Sequence, residues 1–265
     1  MATTTRRRAR KPAGTISGED LARLLELTRG ADSVELKATL DPGAQRQATS
    51  GLGIDALEAQ IRQVFFFDTP ELALNEAGVV VRARRAQKKG DDTVVKLRPV
   101  VPHELPDSVR SASGFGVEVD AMPGGFVCSG SMKGVPTVDV REVIRGKRPL
   151  ADLFSKAQRK FYGEHAPAGV ELEDLSMLGP IFVLKLKFAP KGFDRRLVAE
   201  MWLYPDNSRI LELSTKCAPA EAFQVAAEAR AFLAAHGVDL GGEQSTKTKK
   251  ALEFFAQELQ AAAVA

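Results

Sequence analysis

Basic residues recur in this chain at two-residue spacing. Arg82 and Arg84 stand in VVVRARR, Lys96 and Arg98 in TVVKLRP, and Lys185 and Lys187 in FVLKLKF, with Lys37 in SVELK and Lys216 in LELSTK. Side chains of an extended strand alternate between its faces, so each pair projects to one side while the intervening apolar residues project to the other. Carboxylates keep the same phase: Glu118 and Asp120 in GVEVD, Glu35 beside Lys37, Glu200 in LVAEMW and Glu212 in ILELSTK. The plain reading is an antiparallel sheet with one solvated charged face and one apolar face packed on helices. The summed charge argues against it. Cations about 6 Å apart on one open surface repel by roughly 2 to 3 kcal/mol per pair at an effective dielectric of about 20, and exposed sheets usually interleave signs. A sheet curled so that this face is concave would bring the cations around one volume. That volume would hold a highly charged anion, and the carboxylates would offer the hard oxygen ligands that suit a divalent cation.

The elements that would carry these rows are short, β-rich segments bounded mostly by Gly, Pro, Asp or Asn. Strands are predicted at 34–40, 63–68, 79–85, 93–98, 115–120, 181–188, 197–204 and 209–216, with Asp206-Asn207-Ser208 as a tight hairpin between the last two. Helices are predicted from Ser17 to Gly30, at 57–63, at 150–165, at 219–236 and from about Ser245 onward. Residues 1–16 mix Thr, Arg, Pro and Gly without periodicity and read as a disordered basic arm, leaving 17–265 as a single domain.

Charge places limits on function. The chain has 37 Lys and Arg against 34 Asp and Glu, but Arg6, Arg7, Arg8, Arg10 and Lys11 lie in the arm. The remainder has 32 cations against 34 acids, so the basic excess does not describe a nucleic-acid-binding body. No apolar run is long enough for a membrane span and none follows the arginines as a signal peptide would require, which predicts a cytoplasmic protein. Cys128 and Cys217 lack neighbours at metal-ligand spacing, and His103, His165 and His236 are scattered. GGEQSTKTKK lacks the Gly-Lys-Ser/Thr unit of a phosphate-binding loop, so Ser245 or Thr246 is expected to cap the last helix; Lys247, Lys249 and Lys250 could approach an anionic substrate at that helix start, with a solvated basic turn the simpler reading.

In chain order, SVELK, FFFDTPELALNEAGVVVRARR, TVVKLRP, VEVD, FVLKLKF and LELSTK resemble the CYTH, or triphosphate tunnel metalloenzyme, superfamily. That superfamily includes class IV adenylyl cyclases, thiamine triphosphatases and inorganic triphosphatases. The resemblance spans about residues 31–217 and is most specific from Phe66 to Arg98. It implies an α+β fold, an eight-stranded antiparallel tunnel barrel with flanking helices. Inward basic residues would hold a triphosphate while acidic residues bind Mg²⁺ or Mn²⁺. Carried over by position, Lys37 and Glu35 match the Glu-x-Glu-x-Lys signature, and Arg82, Arg84, Lys96 and Arg98 match the phosphate-binding Arg-x-Arg and Lys-x-Arg strands. Lys185 and Lys187 resemble the later basic strand, and Glu212 one of the C-terminal acidic pair. Ser33 stands where the first signature glutamate belongs and Ser214 where the last strand usually has its second. Asp32 could replace the former only through a bulge.

These readings give an expected triphosphate- or polyphosphate-binding protein that hydrolyses a terminal phosphoanhydride. Lys37, Arg82, Arg84, Lys96, Arg98, Lys185, Lys187 and Lys216 would clamp phosphates. Glu35 and Glu212 would be catalytic, with Glu118, Asp120 and Glu200 joining them around the metal. The rivals are a binding module that has lost its catalytic metal, a cyclase acting on ATP, and a nucleic-acid binder led by the arm.

Overall fold

The computed structural model describes residues 18–238 and 247–264; the arm, Ser17, Ser245 and Thr246 lie outside the described residues, as does the side chain of Lys249. Nine strands occur among the described residues: β1 (Ser33–Leu40), β2 (Gln60–Asp68), β3 (Val79–Ala86), β4 (Asp92–Leu97), β5 (Phe115–Met122), β6 (Gly125–Gly134), β7 (Ser176–Phe188), β8 (Leu197–Leu203) and β9 (Arg209–Cys217). They close into a barrel in the order β1-β5-β6-β4-β3-β2-β7-β8-β9, with β9 returning to β1.

The expected tunnel barrel is present with two corrections. It has nine strands rather than eight, and β1 pairs with β5 in parallel, so the sheet is mixed. The extra strand, GFVCSGSMKG, is rich in Gly and Ser and has little intrinsic β preference. Its conformation comes from hydrogen bonding to β4 on one side and β5 on the other. The helix expected at 57–63 is also absent. Asp55 caps a single 3₁₀ turn, Ala56–Glu58, by accepting from the Leu57 amide at 2.9 Å, and β2 begins at Gln60.

Alternation sorts the sheet as the spacing requires. The outward set Phe65, Phe67, Val79, Val81, Val95, Leu97, Val117 and Val119 forms one core with Phe154, Phe161 and Tyr162 from the connection between β6 and β7. Within that connection Ser155 and Gln158 form a capping box on the helix Lys156–Gly163. Buried Gln158 also donates to the Met132 carbonyl at 3.2 Å and accepts from Thr93 at 3.1 Å, tying the helix to β4 and β6. Outward Leu40, Ala199, Leu211 and Leu213 pack under the helices Gln45–Gly51 and Ala222–Ala235. Burying an apolar side chain of this size contributes roughly 1.5–3 kcal/mol, so the helices have reason to cover the outside of the barrel.

The inner face has a different plug. Val64, Phe66, Ile181, Val183, Trp202 and Ile210 meet Ala251, Leu252 and Phe255 of the C-terminal helix Lys247–Val264. Thus one stretch of the lining is apolar and filled, and the charged rows occupy the rest.

Candidate functional site

Cross-strand register puts the charged residues on one continuous inner surface, because directly opposed residues share a face. Glu35 lies opposite Asp120 and Lys216, and Lys37 opposite Ser214. Glu200 lies opposite both Lys185 and Glu212. Arg84 faces Val64 and Asp92, Arg82 faces Phe66, and Lys96 faces Ser131. Arg98, one residue past β4, is held by its amide donating to the Gly78 carbonyl at 2.8 Å. Gly78 has φ +73°, and a Cβ there would stand 2.4 Å from the Arg98 carbonyl oxygen, so only glycine allows this approach.

The carboxylates divide into two groups. Oxygen atoms of Glu35, Glu118 and Asp120 lie within 4.8 Å of one another. The Lys37 ammonium is 2.8 Å from Asp120 and 3.1 Å from Glu35, and Lys96 and Arg98 approach Asp120 at 3.7 and 3.6 Å. Lys216 pairs with Glu118. Burial alone would raise the Asp120 carboxyl, but Lys37 and then Lys96 bring it down to about 2. Glu35 is likewise opposed by burial and lowered by Lys37, while these carboxylates hold the Lys37 ammonium above its ordinary pKa against its own desolvation. Two serines join this group: Ser214 of the last strand donates to Glu35 at 2.9 Å and Ser33 to Glu118 at 3.4 Å. Asp32 stays out of it, accepting from the Val117 amide at 2.7 Å.

Glu200 and Glu212 form the second group. Lys185 donates to Glu200 at 2.6 Å, and Trp202 Nε1 donates to its other oxygen at 3.3 Å. Lys247 from the C-terminal helix donates to Glu212 at 2.6 Å and also pairs with Glu200. Despite burial, Lys247 and Lys185 hold the Glu200 carboxyl well below its ordinary value. The solvated basic turn expected at Lys247 is therefore corrected: its side chain is 16% exposed and pairs with both carboxylates, with the ammonium 5.1 Å from the Trp202 ring centroid.

An arc of basic residues with few counter-charges runs beside these groups. Arg82 has no ion-pair partner among the described residues, and its Nε is buried without a hydrogen bond. Burial and then Arg84 lower its pKa. Arg62 donates to Gln60 at 2.9 and 2.8 Å and pairs with no carboxylate among the described residues; burial and Arg84 lower it as well. Arg84 pairs with Asp92 at 2.8 Å. Lys96, largely through burial, falls to about 8. Lys187 is exposed, next to Val198 across the strand.

Arg62 escaped the sequence reading, and so did the pairing of Lys247 with Glu200 and Glu212. Arg62 fell in the segment expected to be helical, although Gln60, Arg62, Val64 and Phe66 share the β2 phase and could have signalled a longer strand. Lys247 had no such signal, since a pairing 47 residues away from Glu200 is a product of folding. Neither cysteine belongs to the site; both are buried, free thiols.

No sequence-family profile and no curated protein sequence matches the chain. Solved structures do. A candidate adenylyl cyclase from Hippeastrum, described as having a dominant triphosphatase activity, matches with a TM-score of 0.59 at 15% identity, covering 81% of this chain and 92% of that one. A candidate adenylate cyclase from Bacillus halodurans matches with a TM-score of 0.57 at 12% identity, covering 83% of this chain and 97% of that one. The chain has the closed tunnel-barrel fold of these proteins. Its shared architecture therefore extends over most of the described residues. No helix among them is long and apolar enough to cross a membrane.

Proposed function

We propose that the protein binds a triphosphate or polyphosphate chain on the inner surface of the barrel and hydrolyses its terminal phosphoanhydride with a divalent metal. The observation that carries this reading is half-buried Arg82, whose Nε is buried without a hydrogen bond and which has no ion-pair partner among the described residues, beside Arg62 and Arg84, where burial and like charge together disfavour the cations in the absence of an anion. A polyanion would reverse both penalties. Arg82, Arg84, Lys96 and Arg98 then clamp successive phosphates, with Lys37, Lys185, Lys187 and Lys216 extending the basic lining.

Glu35, Glu118 and Asp120 fit a metal by donor chemistry: three clustered carboxylates supply hard oxygen ligands of the kind Mg²⁺ and Mn²⁺ take. When bound there, the ion neutralises charge on the transferring phosphoryl group. The chain's own part is positioning. Lys37 spans Glu35 and Asp120 and Ser214 donates to Glu35, contacts that would orient both carboxylates, and ionised Glu35 would accept a hydrogen bond from an attacking water. Glu212 is committed to Lys247 and is not assigned a catalytic role.

Phosphate release from tripolyphosphate, thiamine triphosphate and ATP, with and without Mg²⁺ or Mn²⁺, tests the reading. Release that requires divalent metal and disappears in Glu35→Gln supports it. A second reading has a specific basis: serines replace two expected carboxylates and Lys37 already neutralises Glu35 and Asp120, as in a binding module without turnover. Metal-independent tripolyphosphate binding with no phosphate release would favour that module, and formation of cyclic AMP from ATP would instead indicate a cyclase.

A further inference from the structure

Glu200 and Glu212 are directly opposed on adjacent strands of the inner face. Like charges at such positions, with Cβ atoms roughly 5 Å apart, destabilise a sheet unless a cation joins them. Among the described residues that cation belongs to the chain itself. Lys247 reaches both carboxylates from the first turn of the C-terminal helix, and Lys185 holds the remaining Glu200 oxygen at 2.6 Å. The Trp202 ring covers Lys247, with its indole N–H on Glu200. Glu212 and Glu200 in turn hold the Lys247 ammonium above its ordinary pKa although burial opposes it.

We propose that the Lys247 ammonium is the resident cation of the Glu200–Glu212 pair, so that this pair takes no divalent ion in the native protein. The barrel then has two acidic groups that differ in number: three clustered carboxylates at Glu35, Glu118 and Asp120, contacted by Lys37 and Lys216, and the Glu200–Glu212 pair, in which Lys247 bridges both members. The same contact holds the start of the C-terminal helix against the inner face, next to the apolar packing of Leu252 on the barrel lining. This inference concerns the tunnel of the proposed triphosphatase but does not depend on turnover.

Titration of the full chain with Mn²⁺, counting free ion by electron paramagnetic resonance, tests it without any substrate. Glu212→Gln in the natural background is expected to bind as many equivalents of Mn²⁺ as the natural protein. Lys247→Met, which keeps the aliphatic stem out to Cε and removes the ammonium, is expected to gain about one equivalent as the two carboxylates recruit a hard cation. That gain should vanish when Glu212→Gln is added, and Lys247→Arg should show no gain. Loss of one equivalent in Glu212→Gln alone, or a folded Lys247→Met protein with unchanged stoichiometry, would overturn the assignment. Glu35→Gln reports separately on the metal site of the proposed function, so failure of that site and failure of this inference give different patterns.

Discussion

Replacing Lys96 by Met should stabilise the free protein while weakening its hold on polyphosphate. Met keeps an aliphatic stem in place and removes the charge. The ammonium is displaced from 10.5 to about 8, principally by burial, with Asp120 opposing the fall and Lys37 and Arg98 adding to it. At 1.36 kcal/mol per unit the displacement corresponds to roughly 3 kcal/mol against the charged form. The side chain is 22% exposed, and solvent screening reduces this to about 2 kcal/mol. The folded pKa lies below the unfolded one, so the folded state binds fewer protons. The penalty is complete below about pH 8 and fades as pH rises toward 10.5. Urea denaturation should therefore show Lys96→Met more stable than the natural protein by about 2 kcal/mol at pH 7, with the difference shrinking toward pH 10.5. Calorimetric titration with tripolyphosphate at pH 7 should show affinity reduced by about 1–3 kcal/mol, the range for a charge-assisted contact. A variant less stable at pH 7 with undiminished affinity would refute the claim that burial penalises this ammonium, beyond what Asp120 returns, on an anion-binding surface.

Arg82→Met should weaken tripolyphosphate binding by a similar 1–3 kcal/mol without lowering stability in the ligand-free state, as titration and denaturation can show together. Asp120→Asn should destabilise by about 3–5 kcal/mol, because Lys37, Lys96 and Arg98 lose a shared buried counter-charge. In the natural protein, the depressed Asp120 pKa contributes stability that is present above about pH 3.8 and lost as pH falls through about 2, a window readable in acid-unfolding curves of the two proteins. Ser33→Glu with Ser214→Glu should tighten Mn²⁺ binding and increase phosphate release, since both serines already touch carboxylates of the metal candidate; unchanged metal affinity would count against that placement.

The period-2 placement of Arg82, Arg84, Lys96, Arg98, Lys185 and Glu200 was readable from the chain alone, because alternation is a local property of extended backbone and needs no knowledge of the partner strand. The same locality made the Asp206-Asn207-Ser208 hairpin legible: Asn207 adopts φ 62° and Asp206 accepts from the Ser208 amide at 2.9 Å. The Asp68 turn likewise uses nearby groups, with its carboxylate accepting from the Thr69, Leu74 and Asn75 amides.

What tertiary structure alone decided involves residues far apart in sequence. β6 is a strand because β4 and β5 supply its hydrogen bonds, against the weak β preference of its own Gly and Ser residues. The parallel pairing of β1 with β5 brings Glu35 to Asp120, and that register, not residue type, makes one group of Glu35, Glu118 and Asp120. Spacing showed that Glu200 and Glu212 face inward; it could not show that Lys247 meets them. That meeting depends on the C-terminal helix packing its apolar face on Phe66, Trp202 and Ile210, a long-range burial with no imprint in the local pattern of either segment.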